Sequence, residues 1–517
     1  MEAAAHRPGF AGRQGELAHL TQLWEASRAG RGTAVLLVGD AGMGKSALTE
    51  TFAATRTDAR VVWGRAWEAG GAPPFWPWLQ ALRALARQRG EQVHGLAPER
   101  RGSLPPDEAR FAMLDATVHA LLDAAAERPT LLVLEDLHAA DEASVALLEL
   151  VVDAARQVPL MVVATTRQRE LAEAHGRAAE RLQRSATRLD LGPLDADAVA
   201  ELAAARGLDG AELHRFSEGH PLYLQELVRL RAHEPTSTEI PPTVEAILTA
   251  RLAALTAPAR ETLGALAVFG REAVDAELAA VMERDVRADL AEAVAAGVLA
   301  SVRCERGPGH RFAHILLRQA ALPAAPARWH ARIGRWLRGL APVPWSEVVH
   351  HLREADDPGR LSAVRAAAAV AMEQLAFEET LRLRHEALAL AEVDPPPVAA
   401  RPADESAPPQ TGPSEAPSGG AAERRAVHLE LAETQLVTGD LQAGRAGCVA
   451  VAAEARAAGD ALALGRAALT YGSVIVAAAV DDRLEELLEH TLELLDAPAP
   501  PDTPAPPDAP ASADPPA

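Results

Sequence analysis

The stretch running from Thr33 to Thr51, TAVLLVGDAGMGKSALTET, constrains this chain more than any other. The apolar run Ala34-Val35-Leu36-Leu37-Val38 suits a buried parallel strand. It passes without a gap into Gly39-Asp40-Ala41-Gly42-Met43-Gly44-Lys45-Ser46, which fits G-x-x-x-x-G-K-[ST]. An amphipathic segment follows, so the loop is predicted to join a strand to a helix N-terminus. Its glycines let backbone N–H groups turn inward around phosphate oxygens, and the helix dipole adds a favourable field. Lys45 offers a compact cation to the β- and γ-phosphates, and the Ser46 hydroxyl is a ligand for Mg²⁺. Of the 51 Lys and Arg residues, Lys45 is the only lysine. A planar guanidinium is too wide where an ammonium fits inside such a loop. Motif and context together disfavour a chance glycine-rich turn and predict a nucleoside triphosphate site.

The second informative stretch is Leu131-Leu132-Val133-Leu134-Glu135-Asp136. Its apolar residues predict a buried strand that delivers two carboxylates to the C-terminal edge, where open α/β sheets bind ligands. One acid can hold Mg²⁺ while the other orients or deprotonates an attacking water; which does which stays open at the level of sequence. Asp141 reads as the cap of the following helix. Val61-Val62-Trp63-Gly64 reads as another strand, and the cluster Phe75-Trp76-Pro77-Trp78 as core at the start of a helix. Leu160 to Ala164 form a further apolar strand, ending in Thr165-Thr166-Arg167. Arg167 is either a γ-phosphate sensor on a strand beside the loop or a solvated arginine at a strand end. Strands alternating with helices over residues 33–167 predict a parallel sheet.

Beyond Leu194 strand signals thin out. Gly219-His220-Pro221 interrupts a helical region, and residues 243–300 carry apolar positions at helical spacing. Gly297 to His314 reads as a short hairpin turning at Gly307-Pro308-Gly309, so helices followed by a hairpin suggest a winged-helix module. Residues 326–392 are helical. The segment 394–421, with Pro-Pro-Pro and Ser-Gly-Gly, reads as a linker. Helix returns over 423–496, with Gly439-Asp440 and Gly459-Asp460 as turns between antiparallel helices that resemble degenerate repeats. A proline- and alanine-rich acidic tail closes the sequence.

Composition narrows the functional classes. A net charge of −21 argues against a broad nucleic-acid-binding surface. The two cysteines, Cys304 and Cys448, form no metal or redox pattern, as expected in a reducing cytosol. No run approaches the ~20 apolar residues of a membrane helix, and residues 1–12 carry no apolar signal core. The expectation is a cytoplasmic protein.

Taken in order, these motifs resemble the STAND class of signal-transduction ATPases, and within it the ATPase part of the large ATP-binding regulators of the LuxR type. The matching pieces are Phe10-Ala11-Gly12-Arg13, Gly39 to Ser46, LLVLEDLHAAD from Leu131 to Asp141, Thr165-Thr166-Arg167, Gly219-His220-Pro221 and Arg311-Phe312-Ala313-His314. The resemblance implies an AAA/ORC-like P-loop core of the α/β class at 8–195, a helical lid at 196–238 and a winged-helix-like domain at 239–325. It further implies a helical repeat region at 326–393, a linker at 394–422, TPR-like hairpins at 423–496 and a disordered tail at 497–517. It implies ATP, ADP and Mg²⁺ as ligands, slow hydrolysis and a nucleotide-gated switch in transcriptional regulation. A protein partner or inducer would bind the repeats, and ATP would favour a homo-oligomer. Carried over, Arg13 joins the nucleotide-binding set, Pro221 lies against the adenine, Arg167 near the γ-phosphate and His314 near the β-phosphate. Two features depart from the family. The acid pair is Glu135-Asp136, where Asp usually comes first, and no DNA-binding helix-turn-helix is visible. Competing readings are an origin-recognition-type ATPase acting on nucleic acid, which the acidic balance disfavours, and a scaffold whose nucleotide is only structural.

Overall fold

In the computed structural model, residues 12–91, 105–233, 243–304, 307–392, 418–473 and 481–496 are described. Phe10 and Ala11, the proline-rich segment up to residue 417 and the tail from residue 497 lie outside them.

The first elements are α1 (Gln14–Arg28), β1 (Thr33–Val38), α2 (Lys45–Ala54), β2 (Arg60–Arg65), α3 (Trp76–Arg89), α4 (Pro106–Glu127) and β3 (Thr130–Glu135). They continue with α5 (Glu142–Ala154), β4 (Leu160–Thr166), α6 (Gln168–Ser185) and β5 (Thr187–Asp190). The strands form one parallel sheet in the order β2-β3-β4-β1-β5. β4 is therefore inserted between the glycine-loop strand β1 and the acid-bearing strand β3. That order leaves a crevice at the carboxyl ends of the central strands, where β1, β3 and β4 release their loops. β1, β3 and β4 are buried almost throughout, as strands covered by helices on both faces must be. Leu20 and Trp24 of α1 and Leu48 and Phe52 of α2 close one face over Val35, Leu37, Leu131, Val133, Met161 and Val163. Each such side chain contributes about 1.5–3 kcal/mol of burial. Phe75 and Trp78 are core residues, and the Trp78 indole N–H donates to the Ser144 carbonyl at 3.0 Å.

α7 (Ala196–Ala204), α8 (Gly210–Ser217) and α9 (Pro221–His233) follow, packed around Val199, Leu213, Leu224 and Leu227. The next module holds α10 (Val244–Ala253), α11 (Ala257–Phe269), β6 (Ala273–Val274), α12 (Asp275–Met282), α13 (Arg287–Ala295), β7 (Leu299–Cys304), β8 (Gly307–Phe312) and α14 (Ile315–Ala321). Its antiparallel sheet, β6-β8-β7, makes the wing. Gly307-Pro308-Gly309 is strand here, not turn: Gly307 pairs with Cys304 and Gly309 with both Val302 and Val274. Position 309 sits mid-sheet, where a Cβ would come within 2.6 Å of the Ala273 carbonyl oxygen. The glycine thus answers to close strand approach rather than to a bend.

Four helices complete this unit: α15 (Ala327–Arg338), α16 (Trp345–Glu354), α17 (Arg360–Glu373) and α18 (Phe377–Glu392), the last running across the boundary at Leu383. The second unit holds α19 (Ser418–Val437), α20 (Leu441–Ala457), α21 (Ala461–Tyr471) and α22 (Asp482–Asp496). α19 already begins at Ser418, within the expected linker, because Ala421, Ala422, Glu423 and Arg424 favour helix strongly enough to carry the two preceding glycines. Asp440 and Asp460 cap α20 and α21 by accepting from Ala443 and Ala463. Among the described residues no helix is long and apolar enough to cross a membrane.

Candidate functional site

The glycine loop leaves β1 at Val38 and enters α2 at Lys45, with Gly42 and Gly44 in the left-handed region at φ 80° and 85°. That backbone doubles the loop back into α2, whose first amides have no intrahelical acceptor. Lys45 is buried and folds back over the loop, donating to the carbonyls of Gly39 at 2.6 Å and Asp40 at 3.0 Å. Burial pushes its ammonium below the usual lysine range; Asp136 is the strongest opposing charge, followed among the acids by Glu68 and Asp40. Ala41 lies in the loop itself and Ser46 in the first turn of α2. Arg13, itself at φ 66°, donates to the Met43 carbonyl at 3.3 Å and to the Gly192 carbonyl, tying α1 to the loop and to the exit of β5.

The two acids at the end of β3 point to different partners. Glu135 lies opposite Arg65 in the β2–β3 register, is 3% exposed, and its Oε2 accepts from Arg65 Nε at 2.8 Å and from Nη2. Its Oε1 has no partner in the structure. Arg65 and Glu135 face a cavity that Glu272, Val302 and Arg311 of the winged module also line. Asp136 turns back at φ 58°, its amide donating to Thr165 Oγ1 at 3.0 Å. Burial, then Glu68 and Glu135, raise its carboxyl above the ordinary range. Asp141 accepts from the Ser144 amide at 2.9 Å as the α5 cap, and its other oxygen accepts from the Phe75 amide at 3.0 Å.

β4 lies beside β1, and the Gly39 amide donates to the Thr166 carbonyl at 3.3 Å. Arg167 follows directly. Its guanidinium donates to Glu170 at 2.9 Å and to Glu68. His138 Nε2 lies 3.1 Å from Glu170 and 3.4 Å from Glu68. One ligand atom each of Glu68, Asp136 and His138 falls within 4.8 Å of the others. Sequence reasoning missed Glu68, Arg65 and Glu170 as site residues. Only the strand order could have signalled Arg65, since it becomes Glu135's neighbour when β2 pairs with β3.

The lid reaches the loop through the Gly-x-Pro segment. A Cβ on Gly42 would stand 2.7 Å from His220 Cε1 and 3.0 Å from Leu222 Cβ, so Pro221 sits between two residues packed on the loop. His314 follows β8 at the start of α14. It caps α14 by accepting from the Leu317 amide at 3.3 Å, and its Nε2 lies 3.6 Å from Glu226 of α9. Glu226 also accepts from Arg251 at 2.9 Å and Arg229 at 3.2 Å, so His314 joins the lid to the winged module through an ion cluster.

A glycine loop between β1 and α2, with acids two strands away across an inserted β4, defines a P-loop nucleotide-binding core of the α/β class, here with a helical extension. Residues 9–163 match the family model described as AAA ATPase domain, so this part of the chain is a nucleotide-binding ATPase domain. An uncharacterized protein of Rhizobium meliloti (strain 1021) is 27% identical over 363 residues, covering 59% of this chain and 34% of that protein. The chain thus spans about a third of the curated relative it matches. Among solved structures, it is similar to a STAND protein with a tetratricopeptide repeat sensor from Pyrococcus horikoshii. That match has a TM-score of 0.49 and 14% identity, covering 95% of this chain and 72% of the other. The Aeropyrum pernix ORC1 protein, solved in complex with DNA, matches with a TM-score of 0.32 and 14% identity over 61% of this chain and 93% of that one.

Proposed function

We propose that this chain is a nucleotide-gated regulatory switch that binds ATP or ADP with Mg²⁺ and hydrolyses ATP slowly. The carrying observation is the packing of His220 and Leu222 against Gly42. A loop wrapped around phosphates and a lid resting on that loop cannot change independently. Lys45 and the first amides of α2 would hold the β- and γ-phosphates. Ser46 and Asp136, with Glu68 and His138 beside them, fit a Mg²⁺ site: oxygen donors predominate, and the carboxyl of Asp136 is raised by burial and then by neighbouring negative charge, the second of which a cation would relieve. Bound Mg²⁺ would neutralise charge building on the phosphates. Asp136, whose field reaches Lys45, is also the acid best placed to orient the attacking water. Glu135 is committed to Arg65.

Arg167 would serve the γ-phosphate once its guanidinium leaves Glu68 and Glu170, and that exchange supports slow rather than rapid turnover. Arg13 steadies the loop from behind, and Pro221 would approach the base. His314 acts in this reading as a lid–wing tie through Glu226 rather than as a phosphate ligand. The helices of the second unit, which leave Leu462 and Leu469 exposed, would receive a protein partner or inducer, and the output would lie in transcriptional regulation.

Analytical ultracentrifugation with ADP, and with a non-hydrolysable ATP analogue, tests the switch. A nucleotide-dependent change in sedimentation is expected, lost in Lys45→Ala. Identical sedimentation in both nucleotides, with binding of both demonstrated, would remove the switch and leave a scaffold.

A further inference from the structure

The pair α15–α16 buries an unusual set of side chains. Trp329, Ile333 and Leu337 on α15 meet Val348, Val349 and Leu352 on α16, and among them stand His330, 7% exposed, and His351, 1% exposed. Burying imidazoles in such surroundings is costly unless their nitrogens are satisfied. The Nδ1 atoms of His330 and His351 are 2.9 Å apart, and His350 turns its ring to within 5.5 and 5.0 Å of theirs. One nitrogen from each ring lies within 4.8 Å of the other two. A single N–H···N bond accounts for two of these residues and leaves the third unexplained. Among the described residues the only other such convergence is Glu68, Asp136 and His138, which belongs to the nucleotide site.

We propose that His330, His350 and His351 bind one borderline transition-metal ion, with zinc the first candidate, through one nitrogen of each imidazole. Three imidazoles select zinc and its first-row neighbours over magnesium and calcium, which take oxygen ligands. Metal–nitrogen bonds of about 2.0–2.1 Å in a tetrahedral site place ligand nitrogens roughly 3.4 Å apart, a small adjustment from the present spacing. Burial, then the neighbouring histidines and arginines, also keeps the rings in their neutral, ligating form, with pKa values pushed down to about 4, 4 and 2 for His330, His350 and His351. Arg271, the arginine that bears on His351, is already matched by Glu277 and Glu347, while Arg318 donates to the Ala267 carbonyl. Three protein ligands leave a fourth position for water or a carboxylate.

The site would also have mechanical reach. Gly70 and Gly71, in the loop after β2, rest on His350; a Cβ on Gly71 would stand 2.9 Å from His350 Cβ. The same loop carries Glu68, the partner of Arg167. An ion fixing the His350 ring would fix the floor beneath that loop.

The test uses the untagged full chain, stripped with chelator and then saturated with ADP and Mg²⁺ so that the nucleotide site is occupied. Titration with Co²⁺ should bring up the visible absorption of a low-coordinate, nitrogen-rich site, saturating at about one equivalent and displaced by zinc. Zinc should raise the melting temperature and protect the peptides carrying His330, His350 and His351 from imidazole-directed modification. His350→Gln should weaken metal binding by at least about tenfold. If the three residues are only a hydrogen-bonded cluster, the wild-type protein takes up no cobalt in this range and zinc leaves its melting and modification unchanged. That result overturns the proposal, as does wild-type affinity in His350→Gln. Because the peptide map reads the wild-type protein, a folding failure in the variant does not rescue or spoil the test.

Discussion

Gly42 and Gly44 offer a matched pair for testing the lid contact. Both sit in the left-handed region, at φ 80° and 85°, so replacing either with alanine incurs the same backbone penalty of about 1–2 kcal/mol. Their surroundings differ. A Cβ at Gly44 meets nothing within 4 Å, whereas one at Gly42 meets His220 Cε1 at 2.7 Å and Leu222 Cβ at 3.0 Å. The imidazole can swing away, but the Leu222 Cβ is fixed to the first turn of α9, so overpacking adds about 1–3 kcal/mol at Gly42 alone. Gly42→Ala should therefore destabilise by about 2–5 kcal/mol and Gly44→Ala by about 1–2 kcal/mol, measured by urea unfolding followed by circular dichroism. His220→Ala should recover part of the Gly42→Ala loss and none of the Gly44→Ala loss, a coupling of about 0.5–1 kcal/mol or more in the double-mutant cycle. Equal losses at the two glycines, or no coupling to His220, would refute the lid–loop contact on which the switch reading rests.

Three further outcomes follow from the same geometry. Asp136→Asn should lower ATP turnover at least about tenfold with ATP binding retained, whereas Glu135→Gln should act more through stability by loosening Arg65; the reverse order in a phosphate-release assay would exchange their roles. Lys45 is the only ε-amine, so an amine-directed reagent should label it in nucleotide-free protein and spare it under Mg-ATP, with the α-amino group as internal control; equal labelling by peptide mapping would remove the P-loop assignment. Burial alone would raise the Glu226 carboxyl, but His314 close by, Arg251 and Arg229 hold it below its ordinary value. Its contribution is therefore complete above the ordinary carboxylate range and lost as pH falls through the depressed native value. Glu226→Gln should flatten that acid limb of the stability–pH curve, and an unchanged limb would show that the cluster contributes nothing.

What the sequence disclosed and what it hid divide along physical lines. β1, β3 and β4 were legible because strands covered on both faces read as continuous apolar runs, and the loop because its chemistry needs glycines and a lysine at fixed spacing. β5 was not, since Thr187-Arg188-Leu189-Asp190 is largely exposed at the sheet edge and carries no apolar run. The wing strand β8 opens on Gly-Pro-Gly, a turn signal in any linear reading, and becomes a strand only because β6 and β7 flank it. Glu68 and Arg65 needed the sheet order before they could be seen as neighbours of the acids. The same holds for the three histidines, whose convergence depends on how α15 crosses α16.

The unusual order of the acid pair finds its reason in strand geometry. Successive residues of a strand project to opposite faces, so Glu135 and Asp136 cannot both address the phosphates from the end of β3. Glu135, still in register, shares its face with Arg65 across the β2–β3 ladder. A glutamate reaches one methylene further than an aspartate, which suits a lateral bond to a guanidinium anchored on the next strand. Asp136 lies just past the strand, where φ 58° swings it toward the glycine loop and its amide is pinned by Thr165. A short side chain suffices there, because the backbone itself makes the approach. In the usual order the shorter acid would occupy the in-register position and fall short of Arg65. Glu135 before Asp136 is thus the arrangement that an arginine at position 65 favours. It ties the C-terminal edge of β3 to the cavity where Glu272 and Arg311 of the winged module face the same arginine.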